Sequence, residues 1–285
     1  MTDHVTLFEM GPRDGLQNEK AMIATADKIK LVDMLTDCGF SKIEVTSFVS
    51  PKWVPQMADA SDVLAGITRA DGVSYAALTP NMRGLTGAQA AKANEVAIFG
   101  SASEGFSQAN INCSIDESLE RFAPVLEAAK AVGLPVRGYV SCTVECPFDG
   151  ATPPENVLRV TKALLDMGCY EVSLADTIGT ATPSGISLML DAVLTEVAPE
   201  LLAGHYHDTG GRALDNIKVS LDKGLRVFDA AVGGLGGCPY APGAQGNVAT
   251  ESVVAMLEAH GYATGIDQEA LAKAAAFALS LKETA

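Results

Sequence analysis

Two stretches of this 285-residue chain carry residue types that could do chemistry together. The first is Gly204-His205-Tyr206-His207-Asp208-Thr209, which follows Leu201-Leu202-Ala203 and runs into Gly210-Gly211, the pattern of a short strand ending in a turn. Successive side chains of a strand point to opposite faces, so His205 and His207 share a face and converge while Tyr206 points away. Two imidazoles side by side make half a metal site. Asp14, and with it Asn247, could supply a carboxylate and an amide oxygen. A donor set of mixed nitrogen and oxygen without thiolate suits Mg, Mn or a similar ion with water or substrate in the remaining positions. Zinc would be favoured if Cys238 joined the set. Asp14 also has a plainer use, as the cap of the helix after the first loop.

The second stretch is Arg13-Asp14. A guanidinium beside a metal is well placed to stabilise negative charge developing on an oxygen, and its plainer use is a surface ion pair. Cys238 sits inside the run Gly233-Gly234-Leu235-Gly236-Gly237-Cys238-Pro239-Tyr240, followed by Gly243 and Gly246. So many glycines leave the backbone mobile, which suits a lid closing over substrate, and a cysteine on such a lid can exchange a proton in the closed state. A Gly-rich turn with an inert thiol is the alternative.

These residues must be brought together by the elements between them. Strand-like runs occur at Val5 to Glu9, Ile43 to Phe48, Val73 to Ala77, Glu95 to Phe99, Val136 to Ser141, Glu171 to Ala175, Ala203 to His207 and Val227 to Val232. Amphipathic segments alternate with them, beginning with Thr25 to Leu35. Helix starts are signalled by Ser114 with Glu117, by Thr152 with Pro153 and Glu155, and by Thr182 with Pro183; Gly133, Gly168 and Gly224 mark helix ends. Regular alternation of this kind requires parallel strands joined by crossover helices. Eight units point to a (β/α)8 TIM barrel, an α/β fold of typically ~250 residues. A doubly wound sheet would usually carry a Gly-rich phosphate loop after its first strand, where this chain has Met10-Gly11-Pro12-Arg13-Asp14-Gly15. The expected organisation is one catalytic domain over residues 1–285, with a barrel core over about 4–240. A lid end and an additional C-terminal helical tail would cover about 241–285. That tail is apolar at Leu271, Ala275, Leu279 and Leu281, and could pack on the barrel or on another subunit.

In such a barrel the active site lies at the C-terminal ends of the strands. Glu9, Arg13 and Asp14 lie there after the first strand, and Glu44, Thr46 and Ser47 on the second. Ser173, Asp176 and Thr177 follow on the sixth, and His205, His207 and Asp208 on the seventh. Composition narrows the partners: 48% hydrophobic and 19% charged residues describe a compact globular chain, and a formal net charge of −15 opposes nucleic acid or an anionic membrane. No apolar run reaches the ~18 residues of a membrane span, the six scattered cysteines contain no Cys-x-x-Cys pair, and with Met1 to His4 leading directly into the first strand no signal or transit peptide is expected. A cytoplasmic protein with reduced thiols is expected. With four histidines in all, the chain has too few for the metal-dependent hydrolases that also use His-x-His in a barrel. A non-catalytic acidic binding protein would need neither a polar mouth nor a mobile lid.

The segments Glu9 to Lys20, Ile43 to Phe48, Asn110 to Ser114, Glu171 to Gly179, His205 to Thr209 and Gly234 to Tyr240, with Gly246-Asn247, closely resemble those of 3-hydroxy-3-methylglutaryl-CoA lyases. The resemblance spans essentially the whole chain, and the cysteine loop separates it from the wider group of metal-dependent barrel aldolases and Claisen-type synthases. It implies a divalent cation on Asp14, His205, His207 and Asn247, and cleavage of an acyl-CoA to acetoacetate and acetyl-CoA, a reaction of leucine degradation. It further implies that Arg13 stabilises the thioester oxygen, that Cys238 helps to protonate the enolate carbon, and that His205 is the usual candidate base. Glu44 would orient Arg13 or the ligands, while Lys20, Asn110 and Ser114 would lie near the CoA arm. Ser47, Ser173 and Asp176 complete the expected substrate-binding set, and a homo-oligomer, in its simplest form a dimer, is the expected assembly. Two departures bear on substrate choice: Glu104 to Ala109 lacks the lysines often found there, and Gly210 replaces the usual aromatic. A lyase for a longer 3-hydroxy-3-alkylglutaryl-CoA would show the same catalytic groups and altered walls.

Overall fold

The computed structural model describes residues 3–237 and 246–283 of the chain. Strands and helices alternate as β1 (Thr6–Glu9), α1 (Thr25–Asp37), β2 (Lys42–Ser47), α2 (Ala60–Gly66), β3 (Ser74–Leu78), α3 (Met82–Ala90) and β4 (Glu95–Ser101). Two helices, α4 (Glu104–Ile111) and α5 (Ile115–Ala131), then lead to β5 (Val136–Ser141). A short antiparallel hairpin follows, formed by β6 (Glu145–Cys146) and β7 (Gly150–Ala151). The chain continues through α6 (Pro154–Met167), β8 (Glu171–Asp176), α7 (Pro183–Val193), β9 (Leu202–Tyr206), α8 (Ala213–Asp222) and β10 (Val227–Ala230). It ends with α9 (Thr250–Ala259) and α10 (Gln268–Glu283). The eight long strands close in the order β1-β10-β9-β8-β5-β4-β3-β2, all parallel, with β1 pairing to both β10 and β2. The fold is the expected (β/α)8 barrel with helices added after the last strand.

Local chemistry explains most of the boundaries. Ser114 and Glu117 form a reciprocal capping box at the start of α5, and Thr182 accepts from the Gly185 amide at the start of α7. Gly168 ends α6 in the left-handed region at φ 113°, where a Cβ would be strained. One start differs from expectation: α6 takes Pro153 as its N-cap, and the buried Thr152 hydroxyl makes no cap bond. Another difference lies after β1, where Gly11–Gly15 forms a π-helical turn instead of an open loop. The C-terminal tail packs on the barrel, with Leu271, Ala274, Ala278 and Leu281 of α10 buried against it and Leu279 left 44% exposed.

The lumen is divided by chemistry. Phe8, Met10, Ala76, Leu78, Ala97 and Tyr139 form an apolar cluster inside the strands. Across from it, Arg137, Glu171, Ser173, His205 and Asp229 are all buried and bonded to one another. Buried charges are costly unless paired, so a network of this kind inside a barrel lumen points to use above simple stability. Among the described residues no helix is long and apolar enough to cross a membrane.

Candidate active site

Asp14, His205 and His207 converge on one point. The Nε2 atoms of the two imidazoles are 3.3 Å apart, and each is 3.9 Å from Asp14 Oδ2. The alternation expected for the strand holds: Tyr206 faces outward, its hydroxyl 2.8 Å from Ser220 Oγ on α8. His207 lies just past β9 and is held by an isolated bridge to Asn247. Asn247 joins the cluster as a donor, its Nδ2 2.8 Å from Asp14 Oδ2 and 3.2 Å from the Leu235 carbonyl. To act as a ligand it would turn its amide over and present Oδ1. Two imidazole nitrogens and a carboxylate oxygen facing one another across a small gap are a donor set that a cation would stabilise, so the residues present fit a metal. Asp14 does not cap a helix.

His205 is fixed from behind. Its Nδ1 is 3.1 Å from Asp229 Oδ2, and Asp229 also accepts Ser173 Oγ at 2.8 Å and both terminal nitrogens of Arg137, at 2.8 and 3.1 Å. A carboxylate behind an imidazole sets its tautomer and leaves Nε2 with its lone pair toward the ligand. Burial works against the Asp229 charge, but the Arg137 guanidinium outweighs it and brings the carboxyl down to about 2. Burial likewise opposes ionisation of Asp14, yet Arg13 and the two imidazoles hold its carboxyl well below the usual range.

Arg13 reaches this cluster from the π turn. Its Nη1 donates to Asp14 Oδ1 at 2.6 Å and its Nη2 to Glu44 Oε2 at 3.0 Å, while the Tyr139 hydroxyl donates to the same Glu44 oxygen at 2.8 Å. Arg13 is therefore part of a buried network and not a surface ion pair. Burial pushes the Glu44 carboxyl up despite Arg13 and Tyr139, and one of its oxygens has no partner among the described residues.

A cavity of about 1000 Å³ opens over these groups, lined by Arg13, Asp14, His205, His207 and Thr177 and walled by apolar side chains that include Leu78, Phe99, Phe106 and Phe122. Of the other expected residues, Asn110 lines the cavity and Lys20 lines an adjoining recess. The remaining members of that set take positions away from the cavity. Ser114 is committed to its helix cap, Ser47 is buried with its hydroxyl 3.5 Å from the Leu78 carbonyl, and Ser173 donates to Asp229. Asp176 accepts from the Gly179 and Ala181 amides and shapes the turn after β8. Glu44 does not line the cavity and reaches it through Arg13 and Tyr139. Of the two departures expected to reshape the walls, the Glu104 to Ala109 segment contributes Phe106 to the cavity although Gly105 itself donates to Asp149, whereas Gly210, which donates to the Gly179 carbonyl, lies outside it. Cys238 lies outside the described residues. On either side of it, Gly236 and Gly246 adjoin so closely that a Cβ on Gly246 would come 2.1 Å from the Gly236 carbonyl oxygen.

Sequence reasoning missed Arg137, Tyr139 and Asp229. The signal was present, since charged residues in the middle of apolar strand runs are rare unless paired.

The model of the HMGL-like family matches residues 4–278. A mitochondrial hydroxymethylglutaryl-CoA lyase of Bos taurus is 57% identical over 273 residues, covering 96% of this chain and 84% of the relative. A 3-hydroxy-3-isohexenylglutaryl-CoA/hydroxy-methylglutaryl-CoA lyase of Pseudomonas aeruginosa is 57% identical over 270 residues, covering 95% and 90%. The crystal structure of an HMG-CoA lyase from Brucella melitensis matches with a TM-score of 0.97 at 61% identity, covering 99% of each chain. A family match over nearly the full chain, relatives of this identity and the same barrel together place this protein in the HMGL-like family.

Proposed function

We propose that this protein cleaves (S)-3-hydroxy-3-methylglutaryl-CoA to acetoacetate and acetyl-CoA. The observation that carries the reading is the Asp14, His205, His207 cluster beside the Arg13 guanidinium, opening into a cavity large enough for an acyl thioester. The family is metal-dependent, and Mg or Mn is the proposed ion because the described donors are one carboxylate and two imidazoles, with Asn247 as a fourth. When bound, the ion would act as a Lewis acid on the substrate's hydroxyl and carboxylate oxygens.

The chain's own groups would do the rest. Removal of the C3 hydroxyl proton lets the C2–C3 bond break; the hydroxyl carbon becomes the ketone of acetoacetate, and the electron pair passes into the thioester as an enolate. Arg13, held by Glu44 and Asp14, presents a fixed positive charge to the thioester oxygen as it becomes negative. Because Nδ1 is bonded to Asp229, His205 could accept the C3 hydroxyl proton only at Nε2, and only while that atom is not a ligand; with Nε2 held by the ion, the proton would pass to a water in the cavity instead. Cys238, outside the described residues, is proposed to deliver a proton to C2 and complete acetyl-CoA. The test is product analysis with (S)-3-hydroxy-3-methylglutaryl-CoA. Acetoacetate and acetyl-CoA should appear in equal amounts, and Arg13→Gln should lower kcat by roughly 10²–10³-fold while the protein stays folded. Thioester hydrolysis with free CoA as product would refute the reading.

A second reading has support of its own. The apolar wall of Leu78, Phe99, Phe106 and Phe122 extends well beyond what one methyl group needs, and the Pseudomonas aeruginosa relative is named for an isohexenyl substrate as well. A longer 3-alkyl group is therefore a proposed alternative substrate, decided by comparing kcat/KM for the two thioesters. The buried thiols of Cys38, Cys113, Cys146 and Cys169, none in a disulfide among the described residues, support a reducing, cytoplasmic site of action.

A further inference from the structure

We propose that Glu251 is a positioning residue for the Asn247 amide at the metal cluster, acting through the turn Val232–Gly234 and the Leu235 carbonyl that follows it. The inference rests on the metal-dependent lyase reading above and gives a role to a carboxylate that does not line the cavity.

Glu251 stands in the first turn of α9, and both of its carboxylate oxygens accept the Gly233 amide, at 3.1 and 2.9 Å. The preceding amide, that of Val232, donates to Glu9 Oε1 at 2.8 Å. Two carboxylates from different segments thus hold two successive amides of one turn. The chain here needs such holding, because Gly233 and Gly234 stand at φ 65° and 61° with no side chains to pack and lock the conformation.

What the turn carries is the back of the metal cluster. The Leu235 carbonyl accepts Asn247 Nδ2 at 3.2 Å, and the same nitrogen donates to Asp14 Oδ2 at 2.8 Å. Gly236 is wedged at the crossing: a Cβ there would come 2.7 Å from Asn247 Nδ2 and 3.4 Å from the Asp14 carbonyl oxygen. On the facing side, a Cβ on Gly15 would meet Leu235 Cβ at 2.8 Å. Segments packed this closely transmit displacement, so a shift of the turn is passed both to Asn247 and to the backbone of Asp14. Glu251 therefore sets the place of two cluster residues without touching either.

A carboxylate in the first turn of a helix also favours the helix dipole, a use that would leave the cluster untouched. Side-chain length separates the two. Glu251→Asp keeps the charge at the start of α9 and withdraws the carboxylate from Gly233, whereas Glu251→Gln gives up the charge and keeps an acceptor oxygen within reach. Calorimetric titration of the full chain with Mn(II) is the measurement. Affinity should fall roughly tenfold in Glu251→Asp and in Glu251→Ala, and should return to within about twofold of the parent in Glu251→Gln. In acetoacetate release, the Mn(II) concentration for half-maximal rate should rise by the same factor, with KM for the acyl-CoA unchanged at saturating Mn(II). Parent-like Mn(II) affinity in a folded Glu251→Asp protein, or a Glu251→Gln protein as impaired as Glu251→Asp, would overturn the assignment and leave the lyase reading intact. The expected pattern of affinities in a protein whose parent releases no acetoacetate would do the reverse.

Discussion

Replacing Glu9 by Gln should make the protein more stable at neutral and alkaline pH. Glu9 is fully buried beside the barrel wall and joins three segments: its Oε1 accepts the Gly11 and Val232 amides, both at 2.8 Å, and its Oε2 accepts the Thr250 hydroxyl at 2.7 Å. Burial is the dominant influence and pushes its pKa from 4.5 to about 7 in spite of those bonds. Between these values the native state holds a proton that the unfolded chain has released. Stability therefore falls as pH rises from about 4.5 to about 7 and levels off above that. The interval from 4.5 to about 7, at about 1.36 kcal/mol per pH unit, makes the ionised carboxylate cost about 3 kcal/mol. Glutamine keeps the Oε1 acceptor for both amides, and its Nε2 can donate to the Thr250 oxygen, which accepts as readily as it donates. Urea unfolding across this pH range is the assay. The stability difference between Glu9→Gln and the parent should be small near pH 4.5 and should grow to about 3 kcal/mol in favour of the variant by pH ~8. A difference constant across pH would refute the reasoning, because it would mean that Glu9 titrates normally in the fold.

Other perturbations address the site. Arg137→Met would leave Asp229 and Glu171 buried without their cation; thermal unfolding should show a loss of about 3–5 kcal/mol, and Mn titration a weakened site because His205 loses its fixed tautomer. Asp14→Asn removes the only carboxylate of the cluster while keeping its shape, so metal binding measured by calorimetry should fall sharply with little change in melting temperature. Gly246→Ala puts a methyl group into the Gly236 carbonyl and should lower kcat by displacing the segment that holds Asn247; unchanged turnover would show that the crossing is dispensable.

The barrel was legible because its signals are local and repeated. Apolar runs of strand length alternate with capped amphipathic helices, and the strand expected at Ala203 to His207 is the one observed at Leu202–Tyr206. The convergence of His205 and His207 followed from strand periodicity alone, and Asp14 could be placed near them only because barrel topology brings β1 beside β10, with β9 the next strand. What did not show in the sequence was the reach of side chains across the lumen. Arg137 and Asp229 are 92 residues apart and bond across the barrel interior, a contact that no local pattern encodes. Ser114 is the converse case: its strong local signal, a capping box, fully accounts for it and leaves it no place in the cavity wall.

The central claim is that a metal held by Asp14, His205 and His207 is needed for carbon-carbon cleavage. The most direct measurement is acetoacetate release from (S)-3-hydroxy-3-methylglutaryl-CoA by protein stripped with a chelator and then resupplied with Mg or Mn. Stripped protein should be inactive and folded, either ion should restore release in the parent, and neither should do so in Asp14→Asn at the same concentration. Cleavage that continues undiminished in the stripped protein, or restoration equal in Asp14→Asn, would contradict the account.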